Sequence, residues 1–328
     1  MEKLTIATRG SKLALWQSEH VRDQLIAAHP GLQVELNVIS TKGDRVLDVA
    51  LSKIGDKGLF TAELEQSLRD GSSDIAVHSF KDLPTEMEAD LAIHAVLERE
   101  DTRDLLIVRK DIAQQGVGLA CLPQGAKLGT SSLRRRAQAL RARPDLALDD
   151  LRGNVDTRLR KLTDKHYDAI ILAAAGLLRL GWLSDDLESF SEIENADQIV
   201  GVPLAPPEWL YASCQGAIAV QGRSGDARVA EILTSIHHTP SGQACNLERT
   251  LLAEVEGGCK LPVAVSALKD AQGYTLHAAV YAPDGTHAVI DQCQVPEGTS
   301  AAGEAASRAL AQKLLAAGGA EILASIKL

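Results

Sequence analysis

The segment Glu256-Gly257-Gly258-Cys259-Lys260-Leu261-Pro262 carries the most nucleophilic residue type in this chain. Two glycines before the cysteine and a proline soon after it make an irregular loop that presents the sulfur outward. The adjacent Lys260 favours the thiolate, which is the reactive form. The plain alternative is that Cys259 is an inert small hydrophobe, as most lone cysteines are. A second candidate is His78-Ser79-Phe80-Lys81-Asp82-Leu83-Pro84, a polar run at the end of an apolar strand. Open α/β sheets place ligand residues at that edge. A lysine beside a carboxylate can hold an anion and a cation of one ligand, or can be a solvated ion pair. Neither His78 nor Asp82 has a serine or cysteine at triad spacing.

Two strand-to-helix turns complete the set, Thr8-Arg9-Gly10-Ser11 and Gly129-Thr130-Ser131-Ser132-Leu133-Arg134-Arg135. Free N–H groups at a helix start and forked guanidiniums both suit carboxylates. Simple N-capping accounts for the serines, but not for three arginines in a row, Arg134 to Arg136. Positive charge at a helix N-terminus opposes the macrodipole and costs stability unless an anion compensates. The spacing is not that of a P-loop.

The net charge is -10, yet residues 134–161 hold nine basic and four acidic side chains. An acidic protein with one arginine-rich region suits a compact polyanion and not a nucleic acid. Five cysteines without CxxC spacing make neither a disulfide scaffold nor a zinc site, so no metal is expected. The chain starts at once in an alternating apolar pattern, without a secretory h-region. Its most apolar run, residues 169–175, is too short to span a membrane. The expectation is a cytoplasmic protein with no membrane partner.

The elements that must position these residues alternate between strand and helix. Strands are expected at 4–8, 34–40 and 74–78, with helices at 12–28 and 60–69 between them. A second run has strands at 105–108, 126–129, 146–151 and 168–175, with helices at 133–143 and 155–166. Strands separated by helices imply parallel pairing in α/β layers. The lobes echo each other: the two hydroxyl turns sit alike, and Lys42-Gly43-Asp44 matches Arg152-Gly153-Asn154. Residues 184–208 read as an acidic loop or crossover. The last part reads as a helix at 246–255, three hairpin-linked strands at 263–268, 274–281 and 287–293, and two alanine-rich helices. That is a small α+β domain with an antiparallel sheet.

In order, ATRGSKLALWQ, STKGD, KIGDKGLF, DIAVHSFKDLP, LGTSSLRRRAQ, LRGNVDTRL, DAIILAAAGLLRLG, QGAIAVQGR, LERTLLAEVEGGCKLPV and YAPDG resemble the porphobilinogen deaminase (hydroxymethylbilane synthase) family along nearly the whole chain. The resemblance implies two α/β lobes like those of a periplasmic binding protein, plus the small C-terminal domain. It divides the chain into 1–99 with about 217–236, then 100–216 with the crossover at about 184–207, then 237–328. It implies a monomeric transferase of tetrapyrrole (haem, chlorophyll, sirohaem) biosynthesis. Such an enzyme condenses four porphobilinogen molecules onto a covalent dipyrromethane cofactor and releases linear hydroxymethylbilane by hydrolysis.

By the same resemblance, Cys259 forms the thioether to the cofactor and Asp82 is the catalytic carboxylate, buried beside the pyrrole N–H. Asp44, Ser79, Lys81, Thr130, Ser131, Ser132, Arg134, Arg135, Gly153 and Arg158 bind the cofactor. Arg9, Ser11, Lys53, Lys57, Arg152, Arg158, Gln215, Arg223 and Arg249 bind substrate. Two carboxylates on every pyrrole explain the concentrated arginine. One departure stands out: the family carries glycine where this chain has Cys214, and a φ above zero there costs about 1 kcal/mol or more. A two-lobed binding protein for a small polycarboxylate is the competing reading.

Overall fold

The structure, a computed structural model, describes residues 3–45, 61–255, 261–296 and 300–326, with the backbone alone for Asp44 and Arg45. β1 (Lys3–Arg9) leads into α1 (Lys12–Ala28). The Ser11 hydroxyl caps α1 by accepting from the Ala14 N–H at 3.3 Å. β2 (Gln33–Ile39), α2 (Lys42–Arg45), α3 (Ala62–Arg69) and β3 (Ile75–Ser79) follow, then a single 3-10 turn, Phe80–Asp82, and β4 (Leu91–Val96). Next come β5 (Asp104–Arg109), β6 (Lys127–Gly129), α4 (Leu133–Ala142), β7 (Ala147–Asp149), α5 (Val155–Thr163), β8 (Ala169–Ala173), α6 (Ala174–Arg179) and β9 (Ile199–Leu204). β10 (Ile218–Arg223), α7 (Ala227–Leu233) and α8 (Thr239–Glu254) lead to β11 (Val263–Asp270), β12 (Gly273–Tyr281) and β13 (Ala288–Pro296). α9 (Ser300–Leu314) and α10 (Ala320–Ala324) close the described chain, joined through a kink at Gly318.

The chain forms two compact units, Met1–Glu100 with Gly216–Cys245 and Asp101–Gln215 with Asn246–Leu328. In the first, the sheet order is β2-β1-β3-β10-β4. β1 is parallel to β2 and β3, whereas β10 runs antiparallel to β3 and β4. Leu4, Ile6, Val77, Ile218 and Val220 from the sheet meet Val21 and Leu25 of α1 in its core. The second unit repeats the pattern as β7-β6-β8-β5-β9, with β6 parallel to β7 and β8, and β5 antiparallel to β8 and β9. It also contains the antiparallel sheet β11-β12-β13.

The shared order gives the local echo a structural basis. Thr8-Arg9-Gly10-Ser11 and Thr130-Ser131-Ser132 each follow the central parallel strand of a sheet, and residues 42–44 and 152–154 each follow its neighbour. The pairing is mixed where the alternation predicts parallel strands alone, because β10 enters the first sheet from far along the chain. The apolar run 168–175 also splits. Its strand ends at Ala173 and α6 begins at Ala174. Within the expected crossover, Ile199–Leu204 is a strand at the sheet edge, where Pro203 removes no needed ladder bond. α8 begins at Thr239, seven residues before the expected start at Asn246, with Pro240 in its first turn, where the missing N–H costs nothing.

Cys214 has φ 58°, so the left-handed backbone is kept without glycine. Its N–H donates to the buried Glu248 carboxylate, whose other oxygen accepts from Ala267 at 2.7 Å. Gly285 in the hairpin after β12 has φ 75°, and a Cβ there would lie 2.5 Å from the Arg141 N of α4. The C-terminal sheet therefore meets α4 backbone to backbone. Gly285→Ala combines a left-handed penalty with overpacking and is expected to cost about 2–4 kcal/mol. Urea unfolding checks this, and a change below about 0.5 kcal/mol would show the close approach to be unimportant.

Candidate active site

In the first unit β1 and β3 are parallel neighbours, so Arg9 and Ser79 finish at one edge of the sheet, and the 3-10 turn beyond β3 carries Lys81 and Asp82. Two buried groups hold this turn. The Phe80 N–H donates to Ala217 O at 3.0 Å. The Gln17 amide of α1, 3% exposed, donates to Ser79 Oγ at 2.9 Å. Gln17 lies in a quoted motif, but a glutamine on a helix gives no sign of pointing inward. Asp82 is exposed, not buried as expected. A 3-10 turn sets successive side chains about 120° apart, so with Phe80 in the core Asp82 projects elsewhere.

His78 is buried on β3, with Nε2 2.9 Å from Gln221 Oε1. Burial pushes its pKa down to about 4, opposed by the Gln221 bond and aided by the charge of Arg9. Neutral and enclosed, it supports the sheet edge and is not an acid or base in working pH.

Arg223 does not join this edge. Ile218 pairs with Ser79 and Gly222 with Ile75, so Arg223 leaves β10 at the opposite end of β3. Its guanidinium donates to Leu68 O (2.8 Å), Ser73 O (3.0 Å) and Asp226 (2.9 Å). Arg223, expected to bind substrate, is here a brace between β10, α3 and the loop before β3. The register of β10, and not the residue type, decides it.

In the second unit the candidate residues gather at the ends of β6 and β7. Ser131 Oγ donates to Leu151 O and accepts from Leu151 N, both at 3.0 Å, tying the two turns together. Ser132 caps α4, accepting from the Arg135 N–H at 3.4 Å. Gly153 has φ 110°, and a Cβ there would lie 2.7 Å from the Thr157 Cγ2. Only glycine suits this position. Arg158 Nε donates to Gly153 O at 2.7 Å. Among the described residues, Arg152 Nη2 is a buried donor without a hydrogen-bond partner. Such an orphan costs free energy unless an acceptor arrives, and a carboxylate is the natural one.

Arg134 and Arg135 face inward. Asp104, 0% exposed, accepts from Arg134 Nη1 (2.8 Å), Arg135 Nη2 (2.6 Å) and Nε (3.2 Å), Trp209 Nε1 (2.8 Å) and Gln215 Nε2 (2.9 Å). Burial penalises this carboxylate, but the charges and hydrogen bonds of the two arginines outweigh that and hold it well below the usual carboxylate range. The anion that the arginine row demands is therefore internal for these two residues. Gln215 also donates to Thr102 O at 2.8 Å and acts as a brace. Asp104 was missed because its partners are remote in sequence; the only local signal is an acid opening an apolar strand. Arg249 is half-buried on α8. Cys259, Lys53 and Lys57 lie outside the described residues, as does the side chain of Asp44.

A model of the porphobilinogen deaminase dipyrromethane-cofactor-binding domain matches residues 4–231, and one of the porphobilinogen deaminase C-terminal domain matches residues 243–316. The chain belongs to the porphobilinogen deaminase family. It is 45% identical to a porphobilinogen deaminase of Moorella thermoacetica, over all of this chain and 97% of that one. It is 47% identical to one of Syntrophomonas wolfei, over 98% of each. Among solved structures, a Salmonella typhimurium periplasmic binding protein aligns at 12% identity and a TM-score of 0.41, over 72% of this chain and 92% of that one, too loosely to argue from. The porphobilinogen deaminase cofactor is a dipyrromethane, whose carboxylates are the acceptor chemistry that Arg152 lacks. The residues present fit the group.

Asp104→Asn leaves two buried guanidiniums without their counter-charge and is expected to cost about 3–5 kcal/mol. Denaturant titration at neutral pH reads this, and a loss under 1 kcal/mol would mean the triad relaxes freely. His78 binds its proton near pH 4 when folded but near pH 6.5 when unfolded, so the unfolded chain takes up more protons between those values. Stability is therefore lost as pH falls from about 6.5 to 4, by up to about 3 kcal/mol from this group. The same titration of His78→Gln should have a shallower slope in that window; an unchanged slope would assign the effect elsewhere.

Proposed function

We propose that this chain is a porphobilinogen deaminase, a transferase of porphyrin biosynthesis. It deaminates porphobilinogen, joins four molecules head to tail and releases linear hydroxymethylbilane by hydrolysis. The observation that carries the reading is the match to both family domains, in order, along residues 4–231 and 243–316. The bound dipyrromethane supplies the nucleophilic pyrrole carbon and a permanent tether, through a thioether to Cys259. The lobes would be 1–99 with 217–236 and 100–216, and 237–328 the anchoring domain.

Each protein group has a task set by its surroundings. Arg152 gives its open Nη2 to a ligand carboxylate. Arg134 and Arg135 set two positive charges against the single one of Asp104, so one positive charge remains beside Thr130, Ser131 and Ser132. Glycine at 153 lets backbone approach closely, and Arg158 is aimed by its bond to that residue. In the other lobe Arg9, Ser11 and Lys81 bind the acetate and propionate of the incoming porphobilinogen, with Lys53 and Lys57. Asp82 accepts the pyrrole N–H and stabilises positive charge as ammonia leaves the aminomethyl carbon. It then takes the proton whose loss restores the aromatic ring. Its exposed position supports this role, since the group must reach substrate.

The acidic net charge supports a small-molecule substrate over nucleic acid. No helix among the described residues is long and apolar enough to cross a membrane. We infer a cytoplasmic monomer from the family resemblance.

Intact-mass measurement should find an excess equal to two linked pyrroles, lost in Cys259→Ala. Native protein of unmodified mass that makes no bilane would reject the proposal. Asp82→Asn should keep the adduct and lose turnover by about 100-fold or more; full activity would remove Asp82 from the mechanism.

A further inference from the structure

Gln138 lies midway along α4, 3% exposed, and its carboxamide is saturated. Oε1 accepts from the Leu210 N–H at 2.8 Å and the Tyr281 hydroxyl at 3.1 Å. Nε2 donates to Leu210 O at 3.0 Å and Arg134 O at 3.4 Å. Two lone pairs and two protons are all that this group has. Around it, Ala137, Leu210, Ala264, Ala279 and Tyr281 form an apolar cluster between α4 and the C-terminal sheet. Apolar contacts of this kind bury area but do not fix a register. The Tyr281–Gln138 bond is directional and does.

Both ends of that bond lead to functional segments. Tyr281 donates its N–H to Pro262 O at 3.0 Å, and Pro262 is three residues after Cys259 in sequence. Gln138 reaches the Arg134 carbonyl one turn back, in the helix whose start carries the hydroxyls and both buried arginines. Burial pushes the Tyr281 phenol up to about 12, so it remains a donor throughout the working range.

We propose that the Tyr281–Gln138 hydrogen bond is a latch that holds β12 of the C-terminal domain on α4, and that elongation depends on this register because the chain that carries Cys259 joins β12 at Pro262. Gln138 and Tyr281 are positioning residues, and the inference rests on Cys259 being the anchor. Loss of the latch removes no side chain expected to bind porphobilinogen but loosens the support of the anchoring segment, and small displacements of a reacting atom slow chemistry steeply.

The test uses holoenzyme of the wild type, Tyr281→Phe, Gln138→Met and the double variant. Intact mass, thermal midpoint, kcat and KM for porphobilinogen are measured for each. All should carry the adduct. Tyr281→Phe should lose kcat by about five- to tenfold, the weight of one net hydrogen bond, and Gln138→Met, which also strips the Leu210 N–H and O of their partner, at least as much, with KM within about twofold for both. The double variant should fall no further than Gln138→Met, because one interaction is removed once. If Gln138→Met does not fold, Tyr281→Phe alone decides, since it removes a single oxygen. Full kcat in loaded Tyr281→Phe, with only a lower midpoint, reduces the pair to packing and overturns the latch. Wild-type protein without the adduct overturns the anchor reading and the latch with it. Wild-type adduct with unaffected variants overturns the latch alone.

Discussion

Five hydrogen bonds converge on the carboxylate of Asp104, from Arg134, Arg135, Trp209 and Gln215. A charge buried this deeply survives only if every lone pair is used and counter-charge lies in contact. That requirement organises the second unit. The first turn of α4 is pulled onto the start of β5, and the segment through Trp209 and Gln215 is bound to the same atoms. Gln215 also holds Thr102 O, so two stretches remote in sequence share one anchor. Because α4 is fixed at its start, the turn before it and the loop tied to that turn through Ser131 and Leu151 have little freedom.

An ion cluster of this kind is a poor source of net stability, since desolvation consumes most of the attraction. Its value lies in direction. Two guanidiniums at a helix N-terminus would repel each other and the dipole. With one carboxylate between them, they tolerate burial and still leave a net positive charge at the end of β6. Arg152, with a buried nitrogen unsatisfied among the described residues, extends the same field to the end of β7.

Local features were legible in the sequence because their causes are local. Ser11 and His29-Pro30-Gly31 bound α1, and the three C-terminal strands follow from alternation and the Pro283-Asp284-Gly285 turn. Even the faint likeness between the hydroxyl turns reflects a repeated sheet order. The readings that changed depend on pairing across distance. β10 enters beside β3 after the whole second lobe has been traversed, and its antiparallel register sends Arg223 to the end of β3 opposite Ser79. Asp104 resembles any acid before an apolar strand until Arg134 and Arg135 are folded against it. The exposure of Asp82 depends on Phe80 taking the core position of a one-turn helix.

The first lobe solves the charge problem by the opposite route. The charged residues at the end of its sheet, Arg9, Lys81 and Asp82, are not fully buried, while what lies beneath them is polar but uncharged: Gln17 on Ser79, and His78 on Gln221. A protonated His78 would sit inside the field of Arg9, and burial already disfavours that state near neutral pH. Neutral support therefore confines positive charge to the rim. One lobe holds its cations rigid by burying an anion, and the other keeps its cations outside and makes the backing neutral.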